Sequence, residues 1–111
     1  MKQTRKVTLF VPYNGKIADI AHADTDKHFL DLKTALSEKR KIIMVILYGL
    51  RKAGTGSFFM LPNEGVSVVT TSTAKYALPI VIKDGTQRLQ YKLEVANDTF
   101  DLYCFGYVLE A

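Results

Sequence analysis

The feature that most constrains this chain is its punctuation. Turn-forming clusters recur at Tyr13-Asn14-Gly15, Ala53-Gly54-Thr55-Gly56, Pro62-Asn63-Glu64-Gly65, Asp84-Gly85 and Asn97-Asp98. Gly and Asn tolerate the left-handed backbone that tight turns demand, and Pro pre-sets one of their dihedrals. The stretches between them are short and rich in Val, Ile, Leu, Tyr and Phe, the composition of strands rather than helices. Turns spaced roughly 8 to 12 residues apart predict an all-β sandwich or barrel of about eight strands.

Hydropathy patterning supplies the strands. Arg5 to Pro12 alternates, with Val7, Leu9 and Val11 on one face and Lys6, Thr8 and Phe10 on the other. Pro12 cannot donate to a ladder, so this strand lies at a sheet edge or ends there. His28 to Leu32 reads as a short strand followed by a turn-like connection through Ser37 and Glu38, in preference to a helix over Thr25–Ser37 capped by Thr25 or Asp26. Lys41 to Lys52 is nearly continuously apolar and β-branched, the mark of a central strand covered on both faces. Ser57 to Leu61 then returns as its hairpin partner, and Val66 to Thr71 follows. Lys75 to Lys83 carries Pro79, which marks an edge or a bulge. Asp84-Gly85 is the strongest short hairpin signal in the chain. Beyond it Leu89, Tyr91, Leu93 and Val95 face inward, and Arg88, Gln90, Lys92 and Glu94 outward. In the final strand Phe100, Leu102, Cys104 and Val108 fall on one face, and Tyr103, Phe105, Tyr107 and Leu109 on the other. Both faces are apolar, where a sandwich needs only one, so either a helix or loop covers the second face or another subunit does; the latter makes Tyr103, Phe105 and Tyr107 an interaction surface.

Bulk properties limit the rest. A chain of 111 residues with 48% hydrophobic and 23% charged residues is expected to form one domain over residues 1–111, with 1–27 as an N-terminal arm and loop and 28–111 as the core. The lone Cys104 excludes an intrachain disulfide. Lys2, Arg5 and Lys6 precede too short an apolar stretch to make a signal peptide, and Ile42–Leu50 is too short to span a bilayer as a helix. The expectation is a soluble, cytoplasm-made protein with no membrane partner. The net charge of +4 favours an acidic partner surface only mildly.

Chemistry-bearing residues are sparse. His22 and His28 stand among Asp19, Asp24, Asp26 and Asp31, but the spacing fits neither a zinc pattern nor a calcium loop, and a solvated acidic loop is expected. Cys104 sits mid-strand with no base to activate it. Gly54-Thr55-Gly56 lacks the Gly-Lys-Ser/Thr of a phosphate-binding loop. No serine elbow and no carboxylate pair is present, so no enzyme activity and no cofactor or metal is expected. The basic residues Lys39, Arg40 and Lys41, with Tyr13, Tyr48, Tyr76 and Tyr91, raise a single-stranded nucleic-acid platform as an alternative. Arg88 and Lys92 fall opposite Tyr91 and Leu93 on their strand, which argues for a solvated face instead.

The order of pieces from His28 onward resembles the small jelly-roll domains of tailed-phage virion proteins, the head decoration proteins and the modules of head or tail fibres. The matching pieces are HFLDL, KIIMVILYGLRKAGTGSFFMLPNEG, ALPIVIKDG, QRLQYKLEV and FDLYCFGYVLE, about three quarters of the chain. The likeness is one of pattern, not of signature residues. It implies an antiparallel jelly-roll-like β-sandwich and a structural virion role, assembled in the host cytoplasm. A capsid protein is the implied partner, with sibling subunits in a homo-oligomer, a trimer by preference. Lys2, Arg5 and Lys6 would then form an arm over an acidic capsid surface. The competing functions are a carbohydrate- or receptor-binding fibre module, which the absence of Trp disfavours, and a single-stranded nucleic-acid-binding β-barrel.

Overall fold

The computed structural model describes residues 8–63, 66–70, 78–82, 85 and 87–110. Eight strands and one short helix are found there: β1 Thr8–Ala21, β2 His28–Asp31, α1 Leu32–Leu36, β3 Ile42–Ala53, β4 Phe58–Asn63, β5 Val66–Thr70, β6 Leu78–Val81, β7 Arg88–Leu93 and β8 Thr99–Glu110. Two four-stranded antiparallel sheets result, in the orders β1-β8-β3-β6 (sheet A) and β2-β7-β4-β5 (sheet B). The ladders pair first with last: β1 with β8, β2 with β7, β3 with β6 and β4 with β5. The chain is thus one long antiparallel ribbon wound about itself so that alternate pairs land in alternate sheets. That is the jelly roll.

This winding overturns two expected hairpins. β3 and β4 lie in different sheets, and so do β6 and β7, so neither Gly54-Thr55-Gly56 nor Asp84-Gly85 closes a hairpin (Asp84 itself is outside the described residues). Both are corners where the ribbon crosses from one sheet to the other. At the first corner Gly54 adopts a positive φ of 106°, and a Cβ there would overlap the Asp98 carboxylate. Asp98, itself buried in the turn after β7, accepts the Gly56 N–H at 2.7 Å. The glycines serve a clasp between two corners at the same end of the sandwich. The one sequential pair within a sheet is β4–β5, whose connecting residues lie outside the described set.

β1 differs from the expected arm and loop. Residues 8–21 form an edge strand running the length of β8, and the expected turn at Tyr13-Asn14-Gly15 is absorbed as a bulge with Asn14 at φ 56°. Pro12 does sit at a sheet edge, as its missing donor requires, but the strand continues past it. Leu9, on the strand face it shares with Val11, is 47% exposed. In place of the turn-like connection after β2 the chain makes the single turn α1. The Asp31 side chain accepts the Thr34 N–H at 3.2 Å as N-cap, and Ser37 ends the turn in the left-handed conformation. Five residues cannot hold a helix by propensity alone, so burial of Leu32 and Leu36 is what stabilises it.

The core lies between the sheets. β7 fills it by strict alternation, Leu89, Tyr91 and Leu93 pointing in. The expected fourth member, Val95, falls beyond the strand in the turn and is 39% exposed. From the other sheet Phe100, Leu102, Cys104, Tyr107 and Leu109 of β8 and Ile42, Val45 and Leu47 of β3 complete it. In β8 the alternation breaks once. Gly106 pairs with Ile46 and Cys104 with Leu47, leaving Phe105 as an extra residue, a β-bulge that resets the phase. Tyr107 and Leu109, expected on the face opposite Phe100 and Leu102, are therefore core residues on the same face.

Candidate interaction surface

No catalytic constellation is assembled among the described residues. Cys104 is fully buried, its thiol donating to the Gly106 carbonyl at 3.3 Å, and burial pushes it up to about 11, far from a reactive thiolate. No group of three or more His, Cys, Asp or Glu is placed to hold a metal ion among the described residues.

The distinctive surface is the outward side of sheet A, and cross-strand register builds it row by row. Phe10 pairs with Val108, Val108 with Met44, and Met44 with Val81, so one apolar row crosses all four strands. Phe10 is 52% and Val81 50% exposed at its two ends. The next row is Pro12, Gly106, Ile46 and Pro79. Gly106 is required here, because a Cβ would run into the Phe10 ring and the Val11 carbonyl. The bulge then throws Phe105 outward, 38% exposed, with its ring centroid 5.0 Å from that of Tyr48. Tyr48 also stacks on Tyr103 at 4.9 Å and 8°. Burial raises the Tyr48 phenol above its ordinary value, so that hydroxyl stays protonated at physiological pH.

Charges confine this layer at both ends. At one end Lys16 bridges Asp19 at 2.9 Å and approaches Asp101 at 3.7 Å, with Lys52 3.6 Å from the same Asp101 oxygen. That oxygen is buried and has no hydrogen-bond partner among the described residues, where the two ammonium groups compensate it by charge. At the other end Lys41 pairs with Glu110 at 3.2 Å.

The outward side of sheet B is built differently. The Arg88 guanidinium lies 4.4 Å over the exposed Phe29 ring, and the Lys92 ammonium 5.6 Å from the centre of Phe59. On their own strand these cations lie opposite Tyr91. Across strands they share a face with aromatics, and they cap the rings.

The two ends of the sandwich are knit by polar contacts. At one, His22 and His28 stack with centroids 3.6 Å apart and an angle of 9°. His22 Nε2 shares a hydrogen bond with the Tyr91 hydroxyl, and His28 Nε2 donates to Asp24, both at 2.8 Å. Burial, and then the neighbouring His28, hold His22 below its ordinary imidazole value. The loop between them is exposed from Ala23 to Lys27, as expected of a solvated acidic loop, while the two histidines fasten β1 and β2 to β7. At the other end Arg40 grips Glu38 through Nε and Nη2 at 3.1 and 2.9 Å, and the Tyr107 hydroxyl donates to Glu38 at 3.1 Å. These bonds, Arg40's first, pull the Glu38 carboxyl down to about 2. With Arg40 committed to Glu38 and Lys41 to Glu110, two of the three residues in the Lys39–Lys41 run are locally neutralised.

Of the residues expected to bind partners, Phe105 is exposed, Tyr103 is half-buried beneath the Tyr48 stack, and Tyr107 is excluded, being buried and turned into the core by the bulge. Lys2, Arg5 and Lys6 lie outside the described residues. Sequence reasoning did not find Phe10, Met44, Ile46 and Val81. Met44 and Ile46 were signalled by the double-faced apolar character of β3, which pattern alone could not join to Phe10 and Val81 on other strands. Comparison of the chain with family models, with curated proteins and with solved structures gives no match.

Proposed function

We propose that this chain is a non-enzymatic structural module that packs the outward face of sheet A against another protein subunit. The carrying observation is the pair of apolar rows and the aromatic layer above them, open to water on a sheet whose inner face already supplies the core. A monomer gains nothing by leaving Phe10, Val81 and Phe105 exposed together, whereas a partner would cover them. The jelly roll serves both viral capsid and lectin domains, so the fold alone does not choose between them. The capsid-decoration form of the proposal rests on the sequence pattern. Ligand stacking on sheet B has less support, because Phe29 and Phe59 already carry cations over their rings.

The test is hydroxyl-radical footprinting of the chain in its native assembly and of the purified chain at high dilution, beside co-sedimentation with empty phage heads. Shielding of Met44, Tyr103 and Phe105 in the assembly, with Phe29 unchanged, supports packing through sheet A. Equal reactivity in both states overturns it. A chain that stays in the supernatant while its face is shielded elsewhere overturns the capsid form alone.

A further inference from the structure

The sheet A face permits its occupant to be named, on the premise that the face is a packing surface. Its two edges are closed to strand addition. β1 carries Pro12 and two register shifts against β8, and the short β6 carries Pro79. Prolines and bulges at an edge remove the ladder that an incoming strand would need. Union through this sheet therefore goes face to face.

The charge pattern then narrows the chemistry of the partner. The centre of the face is apolar, and each end carries both signs: Lys16 and Lys52 with Asp19 and Asp101, Lys41 with Glu110. Among the described residues the three lysines of these ends face three carboxylates, so this part of the face favours neither an acidic nor a basic partner, despite the chain's net charge of +4. The complement of an apolar centre with mixed-sign ends is a surface of the same kind. A two-fold axis lying in the plane of the contact, along or across the strands, sets apolar rows on apolar rows and brings both signs to every end.

We infer that the outward face of sheet A is an isologous interface that takes a second copy of this chain, joined by the rows through Phe10, Val81 and Phe105. Four strands and the rows from Val108 to Tyr103 span about 15 Å by about 17 Å, below the size of a standard specific contact and in the range of weak, transient ones. The dimer is therefore reversible and dependent on concentration.

Sedimentation equilibrium of the full chain from about 1 μM to about 1 mM reads this directly, since weak complexes populate over that window. The expected result is a rise from the monomer mass toward twice that mass. Val81→Lys and Phe105→Lys should each hold the chain at the monomer mass, and Phe29→Lys on sheet B should leave the rise intact. Footprinting of the wild-type chain over the same range avoids any variant that fails to fold: Met44, Tyr103 and Phe105 should become at least threefold less reactive as the mass rises. A monomer at every concentration, a limiting mass of three copies, or a dimer whose shielded residues lie elsewhere overturns the inference. If the chain is monomeric throughout and Met44, Tyr103 and Phe105 are still shielded in its native assembly, only self-pairing fails and the packing function stands. If they are unshielded there too, both fail.

Discussion

The two outward faces of this sandwich solve the same problem in opposite ways. Each carries aromatic rings on its outward side: Phe29 and Phe59 on sheet B, and on sheet A Phe10, Phe105 and Tyr103, with Tyr48 buried between the last two. On sheet B long cations from β7 lie over one side of the rings and shield them in part, Phe29 remaining 53% exposed. On sheet A the neighbours of the aromatics are other aromatics and aliphatics, and the charges stand at the ends of the face. A face that shields itself gains little from a partner. One that does not has the most to gain from being covered.

Substitutions can break or sharpen this contrast. The largest effect is expected from Tyr48→Ala, which removes a nearly buried ring from between Tyr103 and Phe105 and should cost about 3 kcal/mol of unfolding free energy in urea titration. A loss below about 1 kcal/mol would mean that the aromatic layer is not an ordered part of sheet A. Gly106→Val forces a side chain against the Phe10 ring and the Val11 carbonyl and should cost about 2 kcal/mol, read the same way. A double-mutant cycle on Tyr48 and Tyr103 should give a coupling of about 1 kcal/mol that is insensitive to salt. The matching cycle on Arg88 and Phe29 should give about 0.5 kcal/mol, the value for an exposed cation–aromatic pair. If the second coupling exceeds the first, the contrast between the faces is wrong.

The smallest expected effect is confined to acid. Arg40 and Tyr107 depress the Glu38 carboxyl to about 2, so its contribution is fully present above the unfolded value of 4.5 and is lost as pH falls toward 2. Glu38→Gln should therefore be less stable than the parent by a constant margin above pH 4.5, the two curves converging near pH 2. Margins that do not close would show that Glu38 acts by shape and not by charge. His22 has the same sign. Its folded-state value is lowered, so the stability it confers falls as pH drops below the ordinary imidazole value of 6.5.

Much of the architecture was legible in the chain. Strand positions from His28 onward, the edge placement of Pro12 and Pro79 and the inward set of β7 follow from period-2 patterning and the missing proline donor, which are local properties. The errors share one cause. Gly54-Thr55-Gly56 and Asp84-Gly85 carry good hairpin chemistry, yet turn residues specify a change of direction and not which sheet receives the next strand. Tyr107 was placed on the wrong face because a single bulged residue, Phe105, inverts every assignment after it. Of the candidate surface, Tyr103 and Phe105 were readable from their own strand, while Phe10, Met44 and Val81 come from three other strands.

By itself, then, the sequence determined that this chain is all β, where its turns fall, and that it holds more apolar strand face than one core can bury. Alternation and turn chemistry act over a few residues and need no knowledge of neighbours. Only the tertiary structure decided how that surplus is spent. Cross-strand register, set by ladders between residues far apart in the chain and shifted by bulges that hydropathy does not mark, gathered it on sheet A and left sheet B to its cations.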